Sequence, residues 1–150
     1  MKAVIQRVRK AEVCIDACCH ACIDNGLLIL LGIEVGDDQQ DIEWLTTKIA
    51  NLRIFNDDKG IMNLNVQEVK GQCLVVSQFT LHASTKKGNR PSYIKAASPQ
   101  IAIPFYNQFV EVLENKIKTK VYTGIFGADM QVNLINDGPV TIIIDSKNKI

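Results

Sequence analysis

With 150 residues, 47% hydrophobic and 22% charged, the chain is long enough to bury one core and too apolar for a disordered segment. A formal net charge of +1 carries no general attraction for polyanions, and the longest apolar run, Leu27–Leu31, is far short of the roughly 20 residues of a membrane-spanning helix. One domain over residues 1–150, with no membrane association, is the expectation.

Residues 2–9 alternate apolar and polar as a first strand should, and they contain no signal-peptide core. A cytoplasmic protein follows, and an odd number of cysteines, five, also favours a reducing compartment. Residues 11–23 read as two short strands about a turn near Asp16-Ala17-Cys18. After the Asn25-Gly26 turn, Leu27–Ile33 reads as a central strand buried on both faces. Asp37 or Asp38 caps a helix whose Ile42, Leu45, Ile49 and Leu52 share one face. Leu52–Phe55 begins another strand, Asp57-Asp58-Lys59-Gly60 turns, and Leu64–Val69 is weakly strand-like. The strongest strand pattern is Cys73–Leu81, followed by a loop from His82 to Ala97. Ser98-Pro99 starts a second helix that directs Phe105, Phe109, Val112 and Leu113 inward, with Pro104 delaying its regular part by a turn. Lys120–Tyr122 is a short strand. Met130–Ile135 and Val140–Ile144 are two more, joined by an Asn136-Asp137-Gly138-Pro139 turn. The sum is an α+β domain with a mainly antiparallel sheet or barrel and two principal helices.

Four cysteines, Cys14, Cys18, Cys19 and Cys22, crowd into CIDACCHAC beside His20. A structural zinc site commonly takes two ligand pairs separated by a longer loop, and no second pair follows here. On a regular hairpin Cys19 and Cys22 also differ in parity, so the four sulfurs converge only on a broken strand. Small fillers and exposed thiols are the favoured reading over zinc or an iron–sulfur cluster. No cofactor is indicated. Elsewhere, no Asp or Glu lies between Val69 and Val110, whereas Lys70, Lys86, Lys87, Arg90 and Lys95 do. This is either a solvated loop or a basic surface for a polyanion.

SQFTL ends an apolar strand with Ser77, Gln78 and Thr80, three hydrogen-bonding side chains that need partners. Alternation puts Gln78, Thr80 and His82 on one face, so a Thr80 nucleophile with a His82 base is conceivable. Side chains two apart on a strand stand about 6–7 Å apart and parallel, however, and no third residue orients His82. NDGPV carries a Gly-Pro bond, the type that adopts the cis form at modest cost.

Taken together, AVIQRV, GLLILLGI, the RIFND…MNLNV stretch, VVSQFTL, KKGNRPSY and MQVNLINDGPVT resemble the D-aminoacyl-tRNA deacylase family from about Lys2 to Asp145. The resemblance implies that family's fold and a hydrolase that cleaves the ester between a D-amino acid, or glycine mischarged on tRNA-Ala, and tRNA. It implies a homodimer, with a pocket of Ser77, Gln78, Phe79 and Thr80 and a wall at Met130. A cis Gly138-Pro139 from the partner subunit would reject L-amino acids. Main-chain N–H groups near Phe79 and Thr80 would stabilise the oxyanion, and the substrate's 2′-OH would assist water. Lys86, Lys87 and Arg90 would meet phosphates at the tRNA acceptor end, with neither metal nor cofactor required. Within such a fold, Cys19 is the cysteine expected to be buried and Cys14 or Cys22 to be exposed. Two other readings stand beside this one. They are a non-catalytic RNA-binding module using the basic loop, and a thiol or metal protein centred on the N-terminal cysteines.

Overall fold

The computed structural model describes residues 1–149. Its strands are β1 (Lys2–Ile15), β2 (Cys18–Ile23), β3 (Gly26–Gly32), β4 (Phe55–Asn56), β5 (Met62–Leu64), β6 (Gln72–Ser77), β7 (Val121–Thr123) and β8 (Gln131–Asp145). The helices are α1 (Gln39–Ala50) and α2 (Pro99–Ile117), the expected two. The main sheet runs β2-β1-β3-β6-β7, with β8 on the other edge of β1, while β4 and β5 form a separate pair. Antiparallel ladders join β1 to β2, β3 and β8, and β4 to β5; β6 runs parallel to β3 and β7.

One side of the sheet receives both helices. Ile42, Leu45 and Ile49 of α1 and Ala102, Tyr106, Phe109, Leu113 and Ile117 of α2 are buried there with Ile5, Ile29 and Val75. The other side forms a smaller core of Val8, Val13, Leu28, Leu74 and Val76. Burial on both faces explains the unbroken apolar sequence of β3. Asp38 caps α1 by accepting from the N–H groups of Gln40 and Asp41, and the Asp41 carboxylate accepts from Asp38 N–H in return. No helix is long and apolar enough to cross a membrane among the described residues.

Several elements differ from expectation. The first strand does not stop at residue 9; β1 continues to Ile15, and register shifts against β8 on both sides of Val8 account for the interrupted pattern. Leu64–Val69 is mostly turn, with Asn65 Oδ1 accepting from the N–H groups of Gln67 and Glu68. Pro104 lies inside α2 without delaying it, and Tyr106 rather than Phe105 is the buried aromatic of that turn. The two C-terminal strands are not hairpin partners. Both are parts of β8 running in one direction along β1: Gln131–Asn136 pairs with Cys14–Val8, and Thr141–Asp145 with Gln6–Lys2. Asp137–Val140 bulge out between them, opposite Arg7.

Candidate active site

The strand β6 ends four residues earlier than its sequence suggests. Its parallel ladder with β3 finishes at Leu31 and Ser77, and the one with β7 finishes earlier, at Val75 and Thr123. Beyond Ser77 neither neighbour offers a ladder. Gln78 N–H makes a last bond to Leu31 O (2.7 Å), and Phe79–His82 then closes as a 3-10 turn. No side chain caps that turn, and the N–H groups of Phe79 and Thr80 open it, so they have no carbonyl within the turn to donate to.

This break overturns the shared-face reading of Gln78, Thr80 and His82. Gln78 Nε2 donates to Thr80 Oγ1. His82 is buried, and its Nδ1 lies 3.6 Å from a Glu34 carboxylate oxygen, a neighbour that the sequence did not point to. Neither imidazole nitrogen has a hydrogen-bond partner, at Thr80 or elsewhere among the described residues. The imidazole is therefore not arranged as a base for the Thr80 hydroxyl.

A cavity of about 310 Å³ opens at the carboxyl ends of β3 and β6. Ser77, Gln78 and Phe79 line it together with Ala102, Phe126 and Met130. Met130 reaches the wall because residue 124 is glycine; a Cβ there would stand 2.5 Å from Met130 Sδ. Tyr106 underlies the site, its buried hydroxyl donating to Val75 O (2.7 Å) and its ring meeting Phe126 edge-on at 5.9 Å. Burial pushes that phenol's pKa well above its ordinary value. Phe79 is half-exposed at the rim and meets Tyr93 edge-on at 5.0 Å. Phe126 and Glu34 carry no motif in the sequence, and Tyr93, the last residue of KKGNRPSY, carried no role there; only the fold brings them here.

From the same rim the basic loop projects. Ser84 and Ser92 exchange two backbone hydrogen bonds (2.8 and 2.9 Å) that pinch its base, and Lys86, Lys87 and Arg90 lie exposed between them. Gly138 and Pro139 are not part of the cavity in the single chain. They form an exposed corner, the bond between them is cis, and Gly138 has φ of +126°, a region favouring glycine. Arg7 braces this corner from beneath. Its guanidinium donates to Asp137 O (3.1 Å) and Ile54 O (2.6 Å) and pairs with the Asp137 carboxylate at 3.2 Å. Arg9 also pairs with Asp137 at 3.2 Å.

The cysteines lie apart. Among the described residues no three His, Cys, Asp or Glu side chains are grouped to hold a metal ion. Cys19 is exposed rather than buried, as are Cys18 and Cys22, and Cys14 is half-buried. The reason is a bulge: Val13 pairs with Ala21 but Cys14 with Cys19, so His20 is the extra residue and the parity of β2 changes there. Cys73 is the buried one, and desolvation raises its pKa to about 12.

Fold and cavity define a small α+β protein with an open pocket, lined by Ser77 and Gln78 at the end of β6 and by Asp129 from the segment before β8. The chain belongs to the D-Tyr-tRNA(Tyr) deacylase family, whose sequence model matches residues 4–145. It is 65% identical over 149 residues to a D-aminoacyl-tRNA deacylase of Flavobacterium psychrophilum, covering 99% of each chain. With one of Bacteroides fragilis it shares 60% over 149 residues, again 99% of each. A solved structure titled c-Myc DNA Unwinding Element Binding Protein aligns with a TM-score of 0.92 and 41% identity, over 97% of this chain and 98% of that one. Another, a probable eukaryotic D-amino acid tRNA deacylase, aligns at 0.82 with 12% identity over 95% and 97% of the two chains, a likeness of fold alone.

Proposed function

We propose that this chain hydrolyses the ester bond of D-aminoacyl-tRNA, releasing the D-amino acid and free tRNA, as one catalytic domain in the cytoplasm. The observation that carries the reading is the seating of Ser77, Gln78 and Phe79 around one cavity with Met130, at the foot of a basic loop. Aminoacyl esters are already activated, so the chemistry needs a positioned water and a stabilised oxyanion more than a strong nucleophile. The N–H groups of Phe79 and Thr80, left free by the 3-10 turn, are suited to the oxyanion. The ribose 2′-OH of the substrate then helps activate water, in keeping with a His82 turned toward Glu34 and a Thr80 hydroxyl engaged by Gln78. Thr80→Ala should therefore retain measurable turnover. Near-complete loss with tRNA binding intact, or a covalent Thr80 adduct, would favour the rival nucleophile mechanism.

In this reading the working unit is a homodimer, and each Gly138-Pro139 corner enters the partner's pocket. Its support is a β8 that, among the described residues, pairs with β1 alone, with exposed Leu134, Ile135 and Ile143, and a braced corner left outside its own cavity. Main-chain carbonyls at such a corner block the side chain of an L-amino acid and leave the D position open, which is selection by clash. Glycine has no side chain to clash, so glycyl-tRNA, including tRNA-Ala mischarged with glycine, passes the same filter. Lys86, Lys87 and Arg90 supply phosphate contacts to the acceptor end, giving affinity without sequence reading. The direct test is release of amino acid from D-tyrosyl-tRNA beside L-tyrosyl-tRNA. The D ester should be cleaved and the L ester spared; persistence of both would leave a non-catalytic RNA-binding module.

A further inference from the structure

The thiols of CIDACCHAC take no part in the proposed reaction, yet the bulge at His20 arranges them in a particular way. The β1–β2 hairpin turns through Asp16 and Ala17, which both have positive φ (49° and 62°), as a two-residue primed turn requires. In such a hairpin the flanking residues, Ile15 and Cys18, form the hydrogen-bonded pair that closes the turn. The next pair outward is Cys14 with Cys19, and by alternation it is a non-hydrogen-bonded pair. Opposed Cα atoms at such positions stand about 4.5 Å apart with their side chains on the same face, inside the roughly 4.4–6.8 Å range a disulfide spans.

We propose that Cys14 and Cys19 form a reversible cross-strand disulfide, a redox-sensitive modification site on the outer face of the β1–β2 hairpin. Cys19 is exposed and Cys14 half-buried, so a small oxidant reaches the pair. Both are free thiols, with only long sulfur contacts: Cys19 Sγ to Ala21 O at 3.8 Å, and Asn133 Nδ2 to Cys14 Sγ at 3.8 Å. The other exposed thiols are placed less well for closure. Cys18 faces Ile15 across the ladder, and Cys22 faces Glu12. The co-reactant is a low-molecular-weight disulfide such as oxidised glutathione. One protein thiolate attacks it, forming a mixed disulfide and releasing one small thiol. The second protein thiolate then attacks the protein sulfur of that intermediate, releasing the other small thiol. The two protons of the protein thiols end on the two released thiols, and the protein loses two hydrogens.

Because the bond would close a ring from residue 14 only to residue 19, it constrains little of the unfolded chain. An exposed disulfide of this kind is readily reduced, which suits a switch better than a staple. Its position gives it a neighbour of consequence. Val13, beside Cys14, points to the opposite face and packs in the core cluster with Met130 and Val132 of the pocket wall.

The test treats the reduced full chain with excess oxidised glutathione and reads intact mass and non-reducing peptide maps. The expected product is a chain lighter by two hydrogens, linked Cys14 to Cys19, and restored by dithiothreitol. Cys14→Ser and Cys19→Ser should each abolish that intrachain bond, and Cys22→Ser should leave it. Circular dichroism melts of the three variants report that each is folded. A wild-type product that ends as a stable glutathione adduct, an interchain link, or a bond to Cys18 or Cys22 overturns the assignment.

Discussion

At the scale of single residues, charge placement near α1 sets a pH limit on stability. Burial works against the Asp41 carboxylate, but hydrogen bonds from the Lys147 ammonium (2.6 Å), the Ser146 hydroxyl and Asp38 N–H outweigh it. The result is a pKa lowered from 3.8 to about 2. A depressed carboxylate contributes stability that is complete above its unfolded value and lost as pH falls toward its folded one. This contribution should therefore be intact above about pH 4 and disappear between there and about pH 2. Urea unfolding at stepped pH measures it, and Asp41→Asn should flatten that part of the acid limb. An identical limb in the variant would assign acid sensitivity to other groups.

At the scale of elements, two devices have separable roles. The Asp38 cap fixes the start of α1, and Asp38→Ala should cost about 1 kcal/mol in urea unfolding with no change in ester hydrolysis. In the proposed reading the β8 bulge serves the reaction instead. Arg7 holds the main chain on both sides of a gap, at Ile54 O and Asp137 O, and only a forked guanidinium serves both. Arg7→Ala should lower D-ester turnover by about 100-fold through misplacement of the Gly138-Pro139 corner while the chain still melts cooperatively. Arg7→Lys should not restore it. Turnover within a few-fold of wild type in either variant would detach the corner from the reaction. The same bulge shows a limit of pattern reading. Met130–Ile135 and Val140–Ile144 look like hairpin arms around NDGP, yet β1 is long enough to pair with both in one direction, so the turn residues make a bulge.

At the scale of the whole molecule, the basic loop and the pocket share one rim through the contact of Phe79 with Tyr93. If the loop meets phosphates, Lys86→Ala with Lys87→Ala should weaken binding to many tRNAs alike. The slope of log affinity against log salt should also flatten by about 0.7–0.9 for each phosphate that the variant leaves unneutralised. An unchanged slope would remove the loop from the interface.

What was legible in the sequence was whatever rests on local chemistry. The apolar run of β3, an aspartate cap at residue 37 or 38, the Ser98-Pro99 start of α2 and the basic character of residues 86–90 follow from side-chain type and spacing alone. SQFTL and NDGPVT also marked the family without any coordinates. What the tertiary structure decided was where partners run out. The end of the β3 ladder turns Phe79–His82 into a 3-10 turn and carries His82 inward to Glu34. The length of β1 converts a turn into the bulge that presents Gly138-Pro139. The extra residue at His20 brings Cys19 out to face Cys14. In the first two cases a strand's fate depends on hydrogen-bonding neighbours far away in the chain, and in the third on a one-residue bulge within a hairpin; periodicity within the strand carries no record of either.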